Sequence, residues 1–311
     1  METANNKSNA LPFMRQMLNE NIGRVQTLWR KIQIHRYFRP IIPRETRQLQ
    51  EIRLTQEPLY SDPDESPLIS VVIPTYNRSR MVVERSVPSI LSQTYQNFEI
   101  VIVGDCCTDD TEERIKELKD PRIRFVNLAE HGKKPANPKA RWRISGSYGI
   151  NHAVKLARGK WIATLDDDDV FTPDHLEVLL RFAQRNHYEL VYGIIKREKG
   201  PGNWIHTGRA PLGSRTCANS ACLYRAYLKM FEFSVECWRI DWGEDNERAA
   251  RMAWAGVRGG FLDQIVAHAP LRPGQTLPGH RGEDREPNSV VCDCHACKEQ
   301  RQAAKARKLA I

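Results

Sequence analysis

Four consecutive aspartates, Asp166 to Asp169, follow the apolar run 161–165 (WIATL). Carboxylates a few ångströms apart raise one another's pKa unless something neutralises them, and a divalent cation is a common remedy. In an extended chain Asp166 and Asp168 share a face. Two oxygen ligands on one face suit Mg2+ or Mn2+, which keep some waters and take further ligands from substrate phosphates. A helix N-terminus accounts for Asp174, with Asp169 or Thr172 as caps ahead of Pro173, but explains four acids in a row poorly. A second acidic pair, Glu244-Asp245, opens a helix-like stretch that it would also cap. Near the C-terminus Cys292, Cys294, His295 and Cys297 could hold a structural Zn2+, although ligands this crowded rarely reach tetrahedral positions alone. Free thiols in a flexible tail are the competing expectation. Cys217, Cys222 and Cys237 read as buried small hydrophobes.

The elements that must position these groups follow a regular pattern. Residues 68–74 form a β-branched run ending at Thr75-Tyr76-Asn77. A helical pattern follows over 82–91, then a second apolar run, 98–103, ending at Gly104-Asp105. A helix over 111–118 leads to a short strand at 123–126, and a helix over 149–156 precedes the run that ends in the four aspartates. Strand, helix and strand in alternation predict a parallel sheet with right-handed crossovers, an α/β fold. Ligands bind beyond the carboxyl ends of such strands, so one polar cluster after each of three strands points to one shared site. Neither G-x-G-x-x-G nor G-x-x-x-x-G-K-[ST] occurs, which places simple dinucleotide redox chemistry and P-loop hydrolysis well down the list.

The flanks differ in character. Residues 1–66 read as an arm: apolar residues from Leu11 to Ile34 recur at three- and four-residue steps opposite Arg15, Arg24, Arg30 and Lys31. Such a helix can pack on its own domain, on a second copy of the chain, or on an anionic membrane surface. The segment 58–67 (PLYSDPDESP) breaks structure as a linker does. Over 132–143, Lys133, Lys134, Lys139, Arg141 and Arg143 stand with two prolines and no acid, which predicts a mobile basic loop.

The 311-residue chain is ordinary in composition, with 41% hydrophobic and 27% charged residues, so it is globular rather than fibrous or disordered. No apolar run reaches the roughly 20 residues of a membrane-spanning helix, and the N-terminus lacks the layout of a secretory signal. Eight cysteines, two of them adjacent (Cys106, Cys107), do not resemble a disulfide framework. A reducing, cytoplasmic setting is expected, with peripheral membrane contact through the arm left open. The net charge of +9 favours anionic partners such as nucleic acid, acidic headgroups or phosphorylated small molecules.

The motifs 68–77 (LISVVIPTYN), 93–100 (QTYQNFEI), 107–109 (CTD) and 161–173 (WIATLDDDDVFTP) resemble the nucleotide-sugar half of family 2 glycosyltransferases. The likeness is close over 67–180 and weaker beyond. It implies a GT-A fold and a nucleotide-sugar donor. By this resemblance Thr75, Tyr76 and Asn77 line the nucleotide pocket, and Asp105 is the acid that hydrogen-bonds a uracil ring. The family's Asp-Asp-Gly-Ser is here Gly104-Asp105-Cys106-Cys107, so the first acid is missing. Asn151 and Gly159 match the Asn and Gly of A-R-N…A-x-G, with Ile150 replacing the arginine; that contact is absent or comes from Arg141 or Arg143. Asp166 and Asp168 correspond to the D-x-D pair, Asp168 as direct metal ligand, and Asp167 touches ribose or donor sugar. Glu244-Asp245 resembles the Glu-Asp motif whose aspartate is the general base, with Asp241 in reserve. A late His or basic residue near the diphosphate is represented by His268, Arg272 and His280, and His268 is the candidate additional metal ligand. The Q-x-x-R-W motif of processive synthases is absent.

The expectation is therefore a GT-A domain over 67–280, with a donor half (67–170) and an acceptor half (171–280), between the arm and a basic tail (281–311). Its activity would be a single, inverting, Mg2+- or Mn2+-dependent sugar transfer, from UDP-sugar by preference, to a glycan, lipid-linked glycan, peptide or small-molecule hydroxyl. A nucleotidyltransferase consuming a nucleoside triphosphate, or a non-catalytic nucleotide- or nucleic-acid-binding protein, would use some of the same groups. Neither accounts for PTYN, Asp105 and the four aspartates together.

Overall fold

The computed structural model describes residues 27–60 and 66–272, and two compact units divide between Arg44 and Glu45. In the first unit residues 27–38 are helical, and Leu28 and Trp29 are exposed. The rest of the amphipathic stretch from Leu11, His280, and the tail with Cys292, Cys294, His295 and Cys297 lie outside the described residues. No described helix is long and apolar enough to cross a membrane.

The second unit begins earlier than the linker-like residues suggest. The helix Ile41–Gln56 buries Leu49 completely among Val72, Ile162 and Leu190. Arg53 reaches Glu189 through Nε at 2.8 Å and a terminal nitrogen at 2.6 Å, and Tyr227 donates to the same carboxylate at 2.7 Å. Burial alone would raise the Glu189 pKa, but Arg53, the Arg258 amide and Tyr227 hold it below the usual carboxylate range. The turn Glu57–Tyr60 continues this contact, with the Tyr60 hydroxyl donating to the Lys160 carbonyl at 2.7 Å. The segment 45–60 thus packs within the second unit, where Arg53 supplies a counter-charge for the fully buried Glu189.

One nine-stranded sheet carries the site, in the order β3-β2-β1-β4-β8-β6-β9-β5 with β7 paired to β6. The strands are β1 (Ile69–Thr75), β2 (Phe98–Gly104), β3 (Ile123–Asn127), β4 (Trp161–Thr164), β5 (Val170–Phe171), β6 (Leu190–Gly200), β7 (Asn203–Thr207), β8 (Cys222–Arg225) and β9 (Gly259–Ala269). β1 is parallel to both β2 and β4, and β2 to β3. β8 then runs antiparallel between β4 and β6. Nearly every residue of β1 and β2 is buried, as a parallel sheet covered on both faces requires. The chain passes from β1 outward to β2 and β3 and returns to β4 on β1's other side. The strand order therefore reverses between β1 and β4, and a crevice opens at their carboxyl ends. Gly159 keeps β4 close to β1: a Cβ there would stand 2.6 Å from the Ser70 nitrogen.

Candidate active site

The aspartates do not continue β4 as an extended strand. Asp167 and Asp168 form a turn closed by the Asp169 amide donating to the Asp166 carbonyl at 3.1 Å, so alternation along a strand does not set their directions. Each side chain is instead directed by a separate partner. Asp166 Oδ1 accepts from Asn219 Nδ2 at 2.9 Å, and its amide donates to Ser220 Oγ at 3.0 Å. Asp167 is buried and accepts from Thr75 Oγ1 at 2.8 Å and Arg78 at 2.6 Å. Asp168, partly exposed, faces Arg272 Nε at 2.6 Å and Arg78 at 3.8 Å. A π turn at Val82–Ser86 brings Arg85 to the Asp168 carbonyl at 3.1 Å, so the turn is gripped through its backbone as well.

The crowding shows in the electrostatics. Burial, and then the Asp168 charge, push the Asp166 pKa up to about 6. Burial and its acidic neighbours raise Asp169 further still. Arg197, on β6, pulls the other way on both. Clustered hard carboxylate oxygens are the donor chemistry a divalent cation takes, and Asp168 and Asp166 are the residues that would hold one. Among the described residues no three His, Cys, Asp or Glu side chains converge as a self-sufficient metal site. An ion here would complete its shell with water and diphosphate oxygens.

At the end of β2, Asp105 is buried among donors. His131 Nδ1 stands 3.1 Å from Oδ1, and the Lys134 ammonium contacts Oδ2. Burial opposes ionisation of Asp105, yet His131 and Lys134 together hold its pKa below the usual value. Asp105 Oδ1 and His131 Nδ1 are both buried, and they face each other. The Tyr76 ring meets His131 edge-on at 5.0 Å and is partly exposed beside them. The expected mobile loop is tied at both ends. Lys134 holds Asp105, while Lys139 and Arg143 hold Asp241, each at 2.9 Å. Between them Pro138–Trp142 forms a short helix capped by Asn137.

Glu244 and Asp245 open the helix Glu244–Trp254, whose first amide donates to the Arg143 carbonyl at 3.2 Å. Burial, then Asp245, and also Asp166 push the Glu244 pKa well above the carboxylate range. The acidic pair and the acidic turn, remote in sequence, thus share one electrostatic site. Asp245 is raised by burial, while Arg197 and Arg143 favour its ionised form. Asp241 is held below the usual range by Lys139 first and Arg143 next, which makes it a poor proton acceptor.

Other sequence candidates have different surroundings. Asn77 adopts a left-handed φ of 50° and exchanges hydrogen bonds with Thr108. Asn151 clamps the Phe233 backbone through both ends of its amide, at 2.9 and 2.8 Å. His268 faces Trp204, and burial followed by the Lys196 charge lowers its pKa. It is Arg272, four residues on, that meets Asp168. Sequence reasoning missed Arg78, Arg197, Asn219 and Ser220. Arg78 adjoins PTYN and so had a local signal; the other three arrive from distant strands and loops and had none.

The model of the family described as glycosyl transferase family 2 matches residues 70–238. The putative colanic acid biosynthesis glycosyl transferase WcaA of Escherichia coli K12 is 36% identical over 123 residues, covering 39% of this chain and 39% of that protein. Matched segments span between 18% and 39% of the first curated relatives' lengths. Among solved structures, S. aureus TarS 1-349 in complex with UDP-GlcNAc aligns with a TM-score of 0.51 at 20% identity, over 68% of this chain and 61% of the other. The mannosyltransferase PcManGT from Pyrobaculum calidifontis, in complex with GDP-Man and Mn2+, aligns at 0.50 and 17% identity, over 79% and 66%. At these identities the likeness establishes a shared GT-A fold.

Proposed function

The chain belongs to glycosyltransferase family 2, and from that premise we propose that it transfers a single sugar, with inversion, from a UDP-sugar to an acceptor hydroxyl. One observation carries this reading. Glu244, which opens the helix Glu244–Trp254, lies beside the end of β1, since a Cβ on Gly146 would stand 3.5 Å from Glu244 Oε1 and 3.8 Å from the Pro74 ring, and the acidic turn after β4 is near enough for Asp166 to contribute to the raised Glu244 pKa. A transferase needs such a pairing: one acidic group beside the leaving diphosphate and another opposite it, to take the acceptor's proton.

In this reading Asp105 accepts from the uracil N3–H, while His131 and Lys134 donate to its two flanking carbonyls. Donor, acceptor, donor on the protein complements acceptor, donor, acceptor on the base. Cytosine, whose N3 is itself an acceptor, does not match. Tyr76 supplies an aromatic edge beside the ring. Thr75 and Arg78 hold Asp167 and so fix the turn beneath the diphosphate.

Asp168 and Asp166 would hold Mg2+ or Mn2+, which when bound supplies electrostatic stabilisation for the departing diphosphate. Asp245 takes the acceptor hydroxyl proton as the new glycosidic bond forms on the face opposite the leaving group. Glu244, whose pKa burial and Asp245 raise, is assigned a hydrogen-bonding role instead of that of base. The absence of Q-x-x-R-W supports single addition over processive synthesis.

The test is thermal stabilisation by UDP, CDP and GDP with Mn2+ present, where shifts follow RT ln(1 + [L]/Kd). UDP is expected to stabilise most, and Lys134→Met to erase the preference. Equal shifts from UDP and CDP would contradict the base assignment.

A further inference from the structure

From His131 to Leu165 the sequence contains no acidic residue, but eight lysines and arginines. Five of them lie in 132–143, the segment that runs from the nucleotide end of the site to the general-base end. Its charges are only partly matched. Lys134 meets Asp105, whereas Lys139 and Arg143 share the single carboxylate of Asp241. Arg141 donates to the Pro135 and Ala136 carbonyls at 3.3 and 3.4 Å, contacts that carry no compensating charge. Lys139 is 68% exposed and Trp142 59% exposed, with the Arg143 guanidinium 5.5 Å from the Trp142 ring.

We propose, building on the transferase reading above, that the acceptor is an anionic saccharide, carrying phosphate or carboxylate groups, that lies along this loop. The placement argues for it. The Arg143 carbonyl accepts from the Glu244 amide, and the Arg143 charge bears on Asp245. An acceptor hydroxyl poised at Asp245 therefore has its neighbouring units against Lys139, Arg141 and Trp142. An exposed indole offers a flat apolar platform for a sugar ring. The adjacent cations would pair with its anionic substituents, and the loop's field would draw a polyanion to a site whose catalytic groups are themselves acidic.

The experiment uses the full chain with UDP and Mn2+, and calorimetric titration of two probe pairs. The first is a hyaluronan tetrasaccharide against its carboxyl-reduced neutral counterpart. The second is a phosphorylated maltotetraose against maltotetraose. The anionic member of at least one pair is expected to bind about tenfold tighter, with the advantage shrinking as salt rises from about 50 to 300 mM. Which pair discriminates identifies carboxylate or phosphate. Lys139→Glu, at an exposed position whose carboxylate partner is Asp241, should abolish the preference and leave UDP affinity intact. Equal binding of charged and neutral members, no binding of any anionic probe to protein that binds UDP, or a preference surviving undiminished in Lys139→Glu would each overturn the proposal. Failure to bind UDP at all would instead defeat the transferase reading on which it rests.

Discussion

Asp168 Oδ2 stands 2.6 Å from Arg272 Nε, so the segment just beyond β9 reaches back to the turn that follows β4. A cation already occupies the neighbourhood in which a metal would bind, and the two must compete. Arg272→Ala is expected to bind Mn2+ about three- to tenfold tighter without nucleotide, the pair being partly buried on both sides. Titration followed by Mn2+ electron paramagnetic resonance reads this directly. Unchanged or weaker affinity would show that Arg272 does not compete for Asp168.

Glu244 and Asp245 are neighbours with separate fates. Burial and then Asp245 raise the Glu244 pKa, whereas the rise that burial gives Asp245 is opposed by Arg197 and Arg143. Asp245→Asn should reduce kcat by roughly 100- to 10,000-fold, the range of a lost general base, with UDP affinity nearly unchanged. Glu244→Gln, which preserves a hydrogen-bonding group, should retain most activity. The reverse order of sensitivity would move the base to Glu244.

Asp166 makes stability depend on pH. Its pKa is about 6 in the fold against an ordinary 3.8, so the folded chain binds this proton more tightly than the unfolded chain. The contribution of Asp166 therefore falls as pH rises from about 4 to about 6. Without metal, Asp166→Asn should be more stable than the parent at pH 7, by roughly 1–3 kcal/mol, and the difference should vanish near pH 4. Mn2+ should bind the parent more weakly below pH 6, where protons compete for the same oxygens. Denaturant titrations at the two pH values decide this, and a pH-independent difference would refute it.

Much of the donor half was legible because its signals are local. Each of β1, β2 and β4 is a short apolar run ending in its own chemistry: Thr75, Asp105 and the four aspartates. A parallel sheet places such ends together. The remainder depended on contacts remote in sequence. Glu189 is unremarkable as text, yet it pulls Arg53 and the helix before it into the core, which no linker signal reveals. Asn219 and Ser220 reach Asp166 from more than fifty residues away, and only the β8 pairing brings them there. The basic loop read as mobile because its carboxylate partners, Asp105 and Asp241, lie outside its own segment. The direction of the aspartates was misjudged for a local reason: the strand stops at Thr164, and a turn replaces the extended geometry that alternation assumes.

The central claim is that the acidic turn after β4 holds a divalent ion together with a nucleotide diphosphate. Calorimetric titration of UDP into the protein, with Mn2+ and after its removal by chelation, in parent and Asp168→Ala, tests it most directly. The account predicts tight binding in the parent with Mn2+, at least tenfold weaker binding without it, and no Mn2+ dependence in Asp168→Ala. Equal UDP affinity in all four conditions would contradict it.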